Sequence, residues 1–139
     1  KFHPAGSLGK KLILKVMDLM AKDNDNAVIP EGASIKTAIL ELSKKGLGIV
    51  SIVNSDNHLV GIITDGDLRR QLEKNVDIYA LSVEDVMTRI PSTIQKRRLA
   101  MDALKIMKER NISSMPVLDE DKVCGTIRLQ DIIRVGIVG

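Results

Sequence analysis

Between residues 34 and 45, Ile35, Ala38, Ile39 and Leu42 recur at i, i+3, i+4 and i+7 with charged residues opposite, which predicts an amphipathic helix. Ala100, Ala103, Leu104 and Met107 repeat that stripe between residues 99 and 110. Ser34 stands where an N-cap is expected, and Gly46 and Asn111 stand where a left-handed residue ends a helix. After each helix comes a short β-branched or apolar run, at 49–53 and 115–118, then a polar turn at 54–57 and 119–122, then a second run at 59–64 and 123–127. Short opening strands are expected near 27–29 and 92–94. A closing helix is expected in each case, opened by Asp67 or Asp131, where a carboxylate offsets the positive end of the dipole.

The pattern is thus written twice. VMDLM from Val16 aligns with VEDVM from Val83, IVSIVN from Ile49 with SMPVLD from Ser114, and GIITDGDLRR from Gly61 with GTIRLQDIIR from Gly125. Three blocks recur in one order, about 65 residues apart, which marks a duplication. Each copy reads β-α-β-β-α, and a three-stranded sheet with helices on one face cannot bury its apolar side alone. Two copies packed sheet to sheet solve this, so the expected fold class is α+β with pseudo-twofold symmetry. The first repeat is placed at 15–78 and the second at 79–139.

Composition narrows the chemistry. Aromatic residues are 1% of the chain, so the core must be aliphatic, and the base-stacking platforms of single-strand nucleic-acid binders are excluded. The net charge is +3, and the basic clusters at Lys96-Arg97-Arg98 and Arg69-Arg70 are too short for a duplex-binding tract, so a small anion is the better partner than nucleic acid. One cysteine, Cys124, cannot build a disulfide framework or a zinc site, and no metal is expected. The acids around Asp23 and Asp25 lack the glycine and glutamate spacing of a calcium loop. No apolar run approaches the ~20 residues of a membrane span, and a reducing cytoplasm is the expected location.

Gly61, Thr64 and Asp67 resemble the closing signature of CBS repeats, glycine, two apolar residues, threonine, two variable positions and aspartate. The second copy keeps Gly125 and Asp131 but carries Arg128 at the threonine position. That resemblance implies a nucleotide sensor, and the residue chemistry fits one. A carboxylate at a helix start accepts hydrogen bonds from both hydroxyls of a ribose, and Thr64 offers a hydroxyl and a backbone N–H to phosphate. Ser114, Met115 and Pro116 would wall a flat base, while Arg69, Arg70 and Arg128 suit a phosphate or carboxylate. Simple helix capping by Asp67 and Asp131 is an equally good reading and is compatible with the first.

A longer resemblance runs from FHPAGSLGKKLILKVMDLM through KKGLG and GIITDGDLRR to DIIRVGIV, and is to the arabinose-5-phosphate isomerases, with Ala5 and RLQDIIRVGIV as departures. Those enzymes join a sugar isomerase (SIS) domain to a CBS pair and convert ribulose 5-phosphate to arabinose 5-phosphate on the route to Kdo, a lipopolysaccharide sugar. The resemblance implies that residues 1–14 are the end of a SIS domain and a linker. It places the catalytic histidine at His3, where an imidazole serves proton transfer. It also implies a homo-oligomer, a dimer of CBS pairs within a tetrameric isomerase. The regulatory ligand would be CMP-Kdo or an adenine nucleotide. The alternatives are a purely structural oligomerisation module, or an adenine-nucleotide sensor on a related sugar-phosphate isomerase. The 139 residues alone are expected to be inactive.

Overall fold

The computed structural model describes residues 8–137. The elements run α1 (Leu8–Leu12), α2 (Val16–Leu19), β1 (Val28–Pro30), α3 (Ile35–Lys45), β2 (Ile49–Val53), β3 (Leu59–Thr64) and α4 (Asp65–Glu73), followed by β4 (Ile94–Gln95), α5 (Ala100–Arg110), β5 (Ser114–Asp119), β6 (Lys122–Arg128) and α6 (Leu129–Arg134). The two halves share one plan. In each, a parallel pair (β1–β2, β4–β5) is extended by an antiparallel hairpin (β2–β3, β5–β6) into a three-stranded sheet. The sheets meet along their central strands, β2 and β5.

The expected helix signals act as anticipated. The Ser34 hydroxyl accepts the Thr37 N–H at 3.2 Å, and Gly46 (φ 67°) and Asn111 (φ 53°) end α3 and α5 in the left-handed region. The stripe Ile35, Ala38 and Leu42 is buried, as is Ala100, Ala103, Leu104 and Met107. Both hairpins carry a bulge at the strand position opposite their glycine, Ile52 facing Gly61 and Val117 facing Gly125.

The packing units cross the boundary between the repeats. Ala21, in the leading segment of the first repeat, exchanges backbone hydrogen bonds with Thr126 on β6 at 2.9 and 3.0 Å. Thr88, in the leading segment of the second, exchanges bonds with Ile62 on β3 at 2.9 Å each way. Val16 is therefore a core residue of the second half and Val83 a core residue of the first. Both side chains are fully buried, each stabilising by roughly 1.5–3 kcal/mol. The glycines make the exchange possible. A Cβ on Gly61 would lie 2.6 Å from Met87 Sδ and 2.9 Å from the Thr88 carbonyl, and a Cβ on Gly125 would lie 2.6 Å from Met20 Sδ and 2.7 Å from the Ala21 carbonyl. The glycine of each closing signature thus serves close approach of the other repeat's leading segment.

These bridges also establish the pseudo-twofold. Lys15–Leu99 and Ser34–Ser82 are equivalent pairs, as are Ala21–Thr126 and Ile62–Thr88. His58 bridges Lys122, its own counterpart, so the axis runs through that contact. Asp67 and Asp131 occupy matching places, each the third residue of its helix.

Candidate functional site

Both closing helices are built by the same local chemistry. Asp65 N–H donates to the Gly48 carbonyl at 3.2 Å, and Leu129 N–H to the Ser113 carbonyl at 2.8 Å, which pins the start of each helix to the loop before β2 or β5. In the first half Thr64 Oγ1 accepts the Asp67 N–H at 3.2 Å, and Asp67 Oδ2 accepts the Thr64 N–H at 2.9 Å. This reciprocal capping box corrects the expectation that the Thr64 N–H stands ready for phosphate, because the Asp67 carboxylate already takes it. Asp67 Oδ1 is paired with Arg70 Nη2. The Asp67 side chain is 12% exposed and that of Arg70 63%, so the arginine is a solvated partner that can swing away.

The second half departs from this at one residue. Arg128 N–H donates to Asp131 Oδ2 at 3.0 Å, as Thr64 does to Asp67. Its side chain then folds onto the same carboxylate, Nε to Oδ2 at 3.2 Å and Nη2 to Oδ1 at 2.9 Å. The pair is sheltered, with side chains 19% and 5% exposed, and Arg134 Nη2 stands 3.8 Å from Asp131 Oδ1. A two-pronged, part-buried arginine–carboxylate pair is a firm unit.

Where the halves adjoin, a cleft of about 860 Å³ opens, a size that accepts a small-molecule ligand. Of the residues expected at a site, Thr64, Asp67, Arg70, Ser114 and Arg128 line it. Arg69 is exposed on α4 outside the lining, and Asp131 lies behind Arg128. Met115 and Pro116 are buried, Met115 fully, so they pack into the interior and do not wall the cleft. His3 lies outside the described residues.

The sequence reading missed a wall contributed by the segment after Thr88, where Ile90, Pro91 and Ser92 line the cleft. Ile90 is 94% exposed, an unusual position for an isoleucine. The signal was an isolated Ile-Pro pair in an otherwise polar connection. Arg110 Nη1 donates to Ser92 Oγ at 2.7 Å and fastens that segment to α5. Gly48, Ile112, Leu129 and Gln130 add apolar and backbone surface.

Among the described residues there is no group of histidine, cysteine and acidic side chains able to hold a metal ion, and no helix is long and apolar enough to cross a membrane. Two perturbed groups sit away from the cleft. Burial pushes the Cys124 thiol up. The hydrogen bond from Lys96 holds the Asp119 carboxyl below its ordinary value.

The chain matches the model of the CBS domain over residues 16–74 and 83–137. It is 39% identical over 98% of its length to the arabinose 5-phosphate isomerase KdsD of Escherichia coli K12, and 36% identical to that of Pseudomonas aeruginosa, but spans only 42% of either relative. Among solved structures, the CBS domain pair of protein MJ0100 in complex with 5′-methylthioadenosine and S-adenosyl-L-methionine is similar at a TM-score of 0.78, with 30% identity over 88% of this chain and 95% of that one. CBSX2 in complex with AMP is similar at 0.74, with 25% identity over 87% of this chain and 94% of that one. The duplicated sheets, the exchanged leading segments and the paired capping acids agree with these matches: the chain is a tandem pair belonging to the CBS domain family.

Proposed function

We propose that this pair is the regulatory module of a D-arabinose-5-phosphate isomerase and that it senses an anionic nucleotide or sugar nucleotide in the cleft beside Asp67. The observation that carries the reading is the Asp67 carboxylate, fixed by the α4 capping box at the edge of a cleft of about 860 Å³ and opposed only by a solvated arginine. A ligand diol can replace that arginine on Oδ1. Ile62, Ile90 and Pro91 offer an apolar surface for a flat base. The identity to KdsD supports the isomerase context, and the AMP, 5′-methylthioadenosine and S-adenosyl-L-methionine of the two solved relatives support an adenine-type ligand. CMP-Kdo fits equally well, since its carboxylate and phosphate suit Arg70 and Arg128. In the longer protein a SIS domain precedes this module, His3 belongs to that domain's acid–base machinery, and the enzyme works in the cytoplasm.

Titration calorimetry of the chain against CMP-Kdo, AMP and ATP tests the reading. Binding of one of them, lost in Asp67→Ala, is the expected result; no heat and no shift in melting temperature with any of the three ends it. A second reading has its own support. Leu72 on α4 is 60% exposed and Ile133 on α6 is 49% exposed, which suits a scaffold that joins copies of the isomerase. If removal of the module breaks the oligomer while Asp67→Ala leaves regulation untouched, the scaffold role is the true one.

A further inference from the structure

Equivalent sequence signatures would suggest two equivalent ligand sites, one per acid. The side chains argue otherwise. Around Asp131 stand two sets of side-chain bonds that the first half lacks. Arg128 occupies both carboxylate oxygens of Asp131. Thr126 Oγ1 donates to Asn26 Oδ1 at 2.6 Å, a buried bond that ties β6 to the crossing segment after Ala21. The counterparts of Thr126 and Arg128 are Ile62 and Thr64, which make neither closure, and both line the cleft. Thr126, Asp131 and Asn26 do not line it, whereas Arg128 does.

We infer that the pair holds a single ligand per chain, on the Asp67 side, and that Asp131 is a positioning residue: it never meets the ligand but clamps Arg128 so that the guanidinium's remaining N–H groups face the ligand's anionic group. This rests on the nucleotide-binding reading above and adds the stoichiometry and the division of labour between the two acids. The energetic logic is preorganisation. An unpaired arginine loses several rotatable bonds on binding phosphate, while one already fixed by a part-buried carboxylate loses few. The clamp also spends Asp131's own acceptors, which removes it as a partner for sugar hydroxyls.

The experiment compares AMP with adenosine, which differ only in the phosphate, by calorimetry on wild type, Arg128→Gln, Arg128→Lys, Asp131→Asn and Asp67→Asn, with circular dichroism melting to check folding. Wild type binds one AMP per chain. Arg128→Gln weakens AMP about 10- to 100-fold and adenosine less than about twofold, Arg128→Lys recovers part of the loss, and Asp131→Asn follows Arg128→Gln in direction. Asp67→Asn weakens both ligands alike. Two AMP per chain, or equal loss of AMP and adenosine in Arg128→Gln, overturns the inference, as does Asp131→Asn behaving like Asp67→Asn. Pyrophosphate, followed by amide chemical shifts of Leu129 and Gln130, separates the two claims. If neither nucleoside ligand binds but pyrophosphate shifts these amides in wild type and not in Arg128→Gln, the nucleotide reading fails and the anion clamp stands. If pyrophosphate moves neither amide, the clamp fails whatever the nucleosides do.

Discussion

The two halves have one backbone plan and two chemistries. Strand order, bulges, glycine contacts and exchanged bridges coincide between them. The side chains at matching positions near the cleft do not: Thr64 against Arg128, Ile62 against Thr126, and the exposed Ile90-Pro91 wall against the acidic turn at Asp23–Asp25. Duplication supplies a symmetric frame, and the substitutions at the ends of β3 and β6 give its two sides different side-chain pairings. Symmetry of fold therefore does not carry over to the side chains at these matching positions.

The largest test of the common frame is in the cores. Ile63 and Ile127 are counterparts and both are fully buried. Ile63→Ala and Ile127→Ala should each lower unfolding free energy by about 2–5 kcal/mol, measured by urea denaturation. A difference between them larger than about 2 kcal/mol would mean that the halves are packed unequally. A smaller effect probes the closure of the second half. Thr126→Val leaves Asn26 Oδ1 buried without its donor and should cost about 1–3 kcal/mol, whereas Ile62→Val at the matching place should cost about 0.5–1.5 kcal/mol. If the two costs are alike, the buried bond contributes nothing to closing that side.

The smallest effect is a pH dependence confined to the second half. Its hairpin turn carries Asp119 where the first has Asn54. The hydrogen bond from Lys96, 2.9 Å from Asp119 Oδ2, holds that carboxyl below its ordinary value of 3.8. A depressed carboxyl contributes stability above the ordinary value, and the contribution disappears as pH falls through the folded one. Lys96→Met should flatten the acid limb of stability as pH falls through the ordinary value of 3.8 and below it, measured by thermal melts, while Asn54→Ala leaves its slope as in wild type. An unchanged slope in Lys96→Met removes the asymmetry at the turns.

Much of this was legible in the residues. The 3.6-residue stripes located α3 and α5, and the left-handed ends at Gly46 and Asn111 followed from residue type alone. The β-branched runs gave β2 and β3 to the residue, because turn residues bracket them. The opening strands were harder: β1 and β4 are only three and two residues long, too short for any periodicity. The exchange of leading segments left no trace, because it is made by single backbone bridges and by two glycines whose need for closeness is tertiary. At the candidate site, Thr64, Asp67, Arg70, Ser114 and Arg128, singled out for their donors and acceptors, line the cleft. Met115 and Pro116 were misplaced because their neighbour Ser114 faces the cleft while they turn inward. The Arg128–Asp131 pair escaped because residue type alone does not show that Nε and Nη2 of the guanidinium are engaged by the carboxylate three residues on.

The crossing of Val16 and Val83 into each other's halves has a practical corollary. A gene cut at residue 78 would give two polypeptides, each holding the lid of its sibling and lacking its own. Neither would be a miniature of the whole. Mixed together they should complement one another like the parts of a split reporter, which makes this pair one unit of folding although its text is written twice.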